Sequence, residues 1–226
     1  SLLHFVKPVF DRRVFLKTCT NGSSELMTNL SMSLVNALYN LQLMKIAGEN
    51  GVAAYGAVMY VNFIFVATFL GYAIGCAPVI SYHYGAGNHA ELKNLYKKSM
   101  SIILVWGVIL FGAAQLLAPV LSKIFVGYNT GLYAMTLHGF RVYAIAFLII
   151  GINIFGSSFF TALNNGLISA VISFLRTLVF QVIMVLTLPL WFGINGIWSA
   201  ISIAEALTLI MTTTFFVRQK DKYHYL

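Results

Sequence analysis

Polar side chains recur every three or four positions through the first long apolar segment of the chain. They are Thr18, Asn21, Glu25, Asn29, Ser33, Asn36 and Asn40. On a helix, this spacing places them along one stripe. If the segment crosses a membrane, the stripe must face a helix bundle or a wet cavity, because lipid cannot solvate a carboxylate or a row of amides. Glu25 is the carboxylate of this stripe, which makes it the first candidate for a functional residue.

Apolar segments of this kind recur along the whole chain. A membrane helix needs roughly 20 mostly apolar residues, and the pattern predicts six, at about 14–47, 52–81, 95–125, 132–163, 167–192 and 197–217. A Gly/Asn-rich loop is predicted at 48–51 and a longer polar connection at 82–98, and Pro78 is expected to kink or end the second helix. The fold class is therefore an all-α polytopic membrane protein. Its six-helix domain covers residues 18–217, between an amphipathic connector (1–17) and a basic tail (218–226).

Composition and charge support this interpretation. The chain is 59% hydrophobic and 9% charged, whereas soluble domains carry about 25% charged residues. The net charge of +8 does not indicate a nucleic-acid partner, because the basic residues lie in short connections, where they orient helices in the lipid bilayer. One predicted side holds ten of the fourteen Lys and Arg residues: Lys7, Arg12, Arg13, Lys17, Lys93, Lys97, Lys98, Arg218, Lys220 and Lys222. We therefore expect both termini on the cytoplasmic side of a plasma (inner) membrane.

Charged and amide side chains inside the predicted spans are the candidate functional residues. A carboxylate at mid-bilayer costs at least ~2.5 kcal/mol, so Glu205 indicates either a cavity or a structural pair with another helix. Arg176 is predicted to pair with a carboxylate in a structural role. Glu25 either snorkels or pairs with Lys17 or Arg176, or it lies in a cavity and exchanges a proton or small cation. The predicted substrate cavity comprises Asn36, Asn62, Ser157 and Glu205, with a helix–helix contact as the alternative for Asn62.

Enzymatic chemistry is not indicated. The sequence has no phosphate-binding glycine loop with its lysine, no zinc-ligand spacing and no nucleophile–base pair. Its two cysteines, Cys19 and Cys76, make neither a disulfide framework nor a metal site. We expect no enzyme activity and no cofactor.

Three separated motifs resemble the multidrug and toxic compound extrusion (MATE) family. They are Gly-Tyr-Ala-Ile-Gly at 71–75 leading through Pro78 to Ser-Tyr-His-Tyr-Gly-Ala-Gly-Asn at 81–88, Asn-Gly-Ser-Ser-Glu-Leu at 21–26, and Phe-Gly-Ile-Asn-Gly-Ile-Trp at 192–198. Their order and spacing are similar to the C-terminal half of a family member. The resemblance implies a fold of two six-helix lobes around a cleft, of which this chain is the second, with an N-terminal lobe as partner.

The resemblance also implies a function and a coupling site. Family members export organic cations, dyes and drugs against inward Na⁺ or H⁺. Glu25 matches the family's acidic residue in the seventh helix, which takes part in cation coupling, and Asn29 lies one turn from it. Asn153 falls near the position of an Asp that some members carry in the tenth helix, so the second carboxylate is missing or replaced. The expected coupling-ion site is Glu25, Asn29 and Asn153, with Glu25 as the metal ligand if the ion is Na⁺.

Two other functions stay open. One is a lipid-linked glycan flippase of the same superfamily, which would carry more basic residues along its cavity. The other is an inactive membrane remnant or scaffold without transport. A six-helix protein that pairs with a second chain is the alternative to a fragment of a longer transporter.

Overall fold

The computed structural model describes residues 10–226, and within its first helix the side chains of residues 21, 23–25, 27 and 28 lie outside that description. The described part has seven α-helices: α1 (Arg12–Gly85), α2 (His89–Val126), α3 (Thr130–Tyr143), α4 (Phe147–Ala162), α5 (Gly166–Phe174), α6 (Gln181–Phe192) and α7 (Ile194–Tyr223). A 3-10 turn (Ala144–Ala146) joins α3 to α4, and a π-helix (Leu175–Phe180) joins α5 to α6. The all-α prediction is confirmed, and five of the described helical runs are long and apolar enough to cross a membrane.

The longest of these runs, α1, doubles back on itself at Gly48. A straight helix of 74 residues would be about 110 Å long, far beyond the roughly 30 Å of a bilayer core. The backbone leaves helical geometry at Gly48, with φ 62° and ψ −153°. Tyr55 Oη donates to Asn36 Oδ1 at 3.0 Å, although a continuous helix would separate these residues by about 28 Å. The helix therefore forms two antiparallel arms, residues 12–47 (first arm) and 49–85 (second arm), so the described part of the bundle has six helical runs across it.

Two predicted connections are shorter than the polar pattern suggested. The loop predicted at 48–51 is a reversal at Gly48, with helix on both sides. The connection predicted at 82–98 is mostly helical, because α1 runs through Pro78 to Gly85 and α2 begins at His89. Asn88 Oδ1 accepts a hydrogen bond from the backbone N–H of Glu91 at 3.1 Å, so one amide side chain is enough to start α2. Polar composition here reflects exposure of the helix ends and not a long loop.

Helix α4 lies at the centre of the bundle. It packs against α1, α2, α5 and α7, and its side chains Phe155, Phe159 and Phe160 are fully buried. At Gly151 an added Cβ would collide with the ring of Phe69 from the second arm, so the missing side chain permits close contact between two membrane helices. The bundle therefore depends on α4 to hold the other helices in register.

The two ends of the bundle differ in charge. Asn165 Nδ2 donates to Tyr223 Oη at 2.9 Å, and the rings of His89 and His224 are 4.9 Å apart. These contacts bring the start of α2, the α4–α5 turn and the end of α7 to one end, which also carries the start of α1. Nine basic residues of the described chain belong to these segments: Arg12, Arg13, Lys17, Lys93, Lys97, Lys98, Arg218, Lys220 and Lys222. Both described chain ends therefore lie at the basic end of the bundle.

Candidate solute cavity and buried ion pair

A cavity of about 540 Å³ lies between the two arms of α1 and the helices that face them. Pockets that hold drug-sized molecules typically measure about 300–1,000 Å³. Its lining includes the aromatic side chains Tyr39, Tyr55, Tyr60, Phe63 and Tyr143 and the amides Asn36, Asn40, Asn62 and Gln181. Among the described residues that line it, Arg176 and Glu205 carry charge. The cavity therefore combines flat apolar surfaces with a few hydrogen-bonding groups and one ion pair.

The ion pair joins the π-helix to α7. Arg176 Nε lies 2.9 Å from Glu205 Oε1 and 3.1 Å from Oε2. Asn153 Nδ2, from α4, donates to Glu205 Oε2 at 2.7 Å and to the Glu205 backbone oxygen at 3.0 Å. The Glu205 side chain is 1% exposed, whereas that of Arg176 is 14% exposed. The carboxylate partner expected for Arg176 is thus Glu205, and a buried amide completes its solvation.

Irregular backbone segments flank this pair. Arg176 belongs to the π-helix Leu175–Phe180, a type of helix that is rare and frequent at functional sites. On the facing helix run, the 3-10 turn Ala144–Ala146 follows Tyr143, which also lines the cavity. Each irregularity changes the helical phase, so side chains on either side of it point differently from those of a regular helix. The described cavity is built where two helix runs depart from α-helical geometry.

The structure places the predicted site residues in several locations. Asn36, Asn62 and Glu205 line the cavity, and Asn62 Oδ1 is buried without a hydrogen-bonding partner among the described residues. Asn153 is fully buried behind Glu205 and does not line the cavity. Asn29 is exposed on the first arm. The cavity therefore brings together three of the four residues predicted for it.

Ser157, the fourth, lies in a separate hydroxyl cluster between α4 and α5. Its Oγ is 2.9 Å from Ser169 Oγ and 2.8 Å from Ser173 Oγ, and Thr161 Oγ1 is 2.6 Å from Ser169 Oγ. Ser157 is not among the residues that line the cavity. Its hydroxyl holds two membrane helices together, because hydroxyl groups in lipid find partners on neighbouring helices.

The coupling-ion assignment to Glu25 stays a prediction, because the Glu25 side chain lies outside the described residues. Its backbone is part of the first arm of α1. Within the described residues, no group of three or more His, Cys, Asp or Glu side chains could hold a metal ion.

The stacked tyrosines of the cavity were not singled out by the sequence. The rings of Tyr39 and Tyr55 are 5.0 Å apart and 7° from parallel, and Tyr39 Oη is buried without a partner in the described part of the chain. Tyr39 lies three positions after Asn36, beside the polar stripe. This position is the sequence feature that could have indicated that Tyr39 faces the cavity. Tyr55 meets it because α1 reverses at Gly48, and the polar pattern does not reveal which residues then face each other.

A comparison of the sequence with models of protein families identifies the family of the chain. The MatE family model matches residues 26–187, which is more than half of the chain. The chain belongs to the MatE family. A comparison with curated proteins finds no significant match for this MatE chain.

Solved transporters share the fold of this MatE chain. A crystal structure of MATE in complex with MaL6 superposes with a TM-score of 0.87 at 20% identity, over 96% of this chain and 49% of the other. An outward-facing multidrug resistance MATE family transporter of the MOP superfamily gives 0.86 at 21% identity, over 97% of this chain and 50% of the other. A MOP superfamily transporter from Pyrococcus furiosus, whose binding pocket of reverse polarity is described as suggesting a different function, gives 0.86 at 21% identity, with 96% and 49% covered. The chain spans about half the length of these transporters and is a half-size MATE lobe.

Proposed function

We propose that this lobe is the C-terminal half of a secondary-active multidrug efflux antiporter, which exports organic cations or drugs in exchange for H⁺ or Na⁺. The observation that carries the proposal is the cavity of about 540 Å³ in a MatE lobe. Its aromatic and amide lining suits flat organic solutes, which need apolar contact and a few polar groups for orientation. Alternating access needs two bundles that rock about a central site, so a second, N-terminal six-helix lobe is the proposed partner.

The proposed coupling site is Glu25, assisted by Asn29. A carboxylate inside a membrane helix is expensive unless it has a partner or a function, and exchange of H⁺ or Na⁺ is a function that needs its charge. Asn153 offers its Oδ1 as a ligand, because the amide oxygen and not the amide nitrogen binds a cation, while its Nδ2 donates to Glu205. Glu205 is the weaker candidate, because Arg176 already neutralises it. No cofactor is proposed besides the coupling ion.

The proposed orientation places both chain ends in the cytoplasm and the lobe in a plasma (inner) membrane. Support comes from the nine basic residues that belong to the end of the bundle carrying both described chain ends. Cytoplasmic loops of membrane proteins carry an excess of Lys and Arg. The reversal at Gly48 then lies on the outer side.

Lipid-linked glycan transport is less well supported by this cavity. A flippase for phosphate-linked glycans would be expected to line its path with several basic side chains. Among the described residues that line the cavity, Arg176 is the one cation, and its Nε is paired with Glu205. We therefore favour drug or organic-cation export.

Efflux from vesicles tests the proposal. The full-length transporter that contains this lobe is reconstituted, loaded with a fluorescent organic cation and exposed to an imposed H⁺ or Na⁺ gradient. We expect gradient-driven efflux by the wild type and its loss in Glu25→Gln, because the mechanism needs the charge and not the shape of the side chain. Glu49→Gln is the matched control, since Glu49 is exposed near the reversal of α1 and the same substitution there should leave efflux unchanged.

Two results would count against the proposal. Wild-type efflux rates in a folded Glu25→Gln variant would exclude Glu25 as the coupling residue. Absence of gradient-driven efflux of any tested organic cation or drug by the wild type would exclude the antiporter and favour the remnant or scaffold function.

A further inference from the structure

The two charged side chains of the cavity wall are not equally accessible. Glu205 is 1% exposed, and its carboxylate accepts hydrogen bonds from Arg176 Nε and from Asn153. Arg176 is 14% exposed. The negative charge is therefore buried inside the wall, and the positively charged group is the one nearer to a bound solute.

The guanidinium of Arg176 has N–H donors that the ion pair does not use. It carries five N–H donors in a planar fork, and in the described part of the chain Nε is the nitrogen that contacts Glu205. Its two Nη groups have no hydrogen-bonding partner among the described residues, and the residue lines the cavity. A guanidinium fork binds carboxylate and similar oxyanions with two parallel hydrogen bonds, which are about twice as strong as neutral ones.

The rest of the described lining adds no further charge. It contains no carboxylate besides Glu205. Aromatic faces attract cations, but Tyr39 and Tyr55 stack on each other at 5.0 Å, so each covers one face of the other. Gln181, one turn beyond Arg176 in chain order, adds an amide that can donate to a further acceptor atom.

We propose that the cavity binds anionic aromatic solutes, with a carboxylate or sulfonate held by the Nη edge of Arg176 and the ring system against the tyrosines. This inference rests on the proposed function, because it takes the cavity as the solute site, and within that function it predicts that anionic aromatic drugs bind more tightly than organic cations. The Arg176–Glu205 pair then acts as a fixed donor group whose own charge is balanced before the solute arrives.

Binding of two matched dyes tests this inference. Fluorescein and rhodamine 123 share a xanthene ring system, but fluorescein is anionic and rhodamine 123 is cationic at pH 7.5. Their dissociation constants are measured by fluorescence anisotropy with the full-length transporter in nanodiscs. We expect the wild type to bind fluorescein at least tenfold more tightly than rhodamine 123.

The decisive variant is the double substitution Arg176→Gln/Glu205→Gln. It leaves the net charge of the wall unchanged and avoids an unpaired buried charge, which a single substitution would leave. We expect the preference for fluorescein to fall about tenfold or more. Arg141→Gln is the matched control, because Arg141 is exposed on α3 and outside the cavity, and it should keep the wild-type preference.

A second variant covers the case in which the double variant does not fold. Arg176→Lys keeps the charge that pairs with Glu205, but its compact ammonium has no second donor edge, so the preference for fluorescein should fall again. Unchanged preference in whichever variant folds, or a wild type that binds rhodamine 123 as tightly as fluorescein or binds neither dye, would overturn the inference. These are binding measurements and do not depend on transport. Loss of ion-driven efflux in the vesicle assay would therefore exclude the antiporter proposal, whereas the dye preference alone decides whether the cavity binds anionic solutes.

Discussion

Replacing Gly48 by alanine tests whether the reversal of α1 depends on a backbone conformation that only glycine adopts. Gly48 has φ 62° and ψ −153°, a region that is essentially restricted to glycine and costs other residues about 1–3 kcal/mol. Nothing lies within 4 Å of the position that a Cβ would take, so crowding adds no cost. Asparagine tolerates the left-handed helical region near ψ +47°, but not this ψ. Gly48→Ala and Gly48→Asn should therefore lower the stability of the folded protein by similar amounts.

Thermal unfolding of the solubilised transporter measures this cost. A thiol-reactive dye reports exposure of the half-buried Cys76 in a background where the exposed Cys19 is replaced by serine. A change of 1 kcal/mol corresponds to a Tm shift of about 2–4 °C in a domain of this size. Gly71→Ala is the control, because Gly71 lies in regular helix with nothing near its Cβ position, and alanine there should stabilise by up to ~1 kcal/mol. If Gly48→Ala were as stable as Gly71→Ala, the argument from backbone strain would be refuted.

Four further substitutions, used in three experiments, test packing, the contact between the arms and topology. Gly151→Ala should cost about 1–3 kcal/mol and lower Tm, because its Cβ would collide with a buried aromatic ring of the second arm; an unchanged Tm would contradict the close packing of α4. Tyr55→Phe removes the hydrogen bond to Asn36 and should cost about 1 kcal/mol in the same assay, whereas no change would show that the bond adds no stability. Lys45→Cys and Lys220→Cys should react with a membrane-impermeant thiol reagent from opposite sides, and reaction of both from one side would contradict the six-helix topology.

A few residues of the cavity could be predicted from the sequence, but their contacts could not. The spacing of Asn36 within the polar stripe indicated a residue that faces the bundle, and the insertion cost of Arg176 indicated a charged partner. Which carboxylate pairs with Arg176 depends on how α7 packs against the π-helix, and those residues are 29 positions apart in the chain. Ser157 shows why polar spacing can also mislead. The same polar pattern that indicates a cavity arises where hydroxyl groups join two helices.

The sequence by itself determined that the protein lies in a lipid bilayer and that its fold is all-α. Long apolar segments can satisfy their backbone hydrogen bonds in lipid only as helices or closed barrels, and the polar stripe with period 3.6 selects helices, whatever their arrangement. The tertiary structure decided what each polar side chain meets. The reversal at Gly48 stacks Tyr39 on Tyr55, and the packing of α4 and α7 buries Glu205 while it leaves an edge of Arg176 at the cavity. Such contacts join residues distant in sequence through a shared volume, so they follow from packing and not from local spacing.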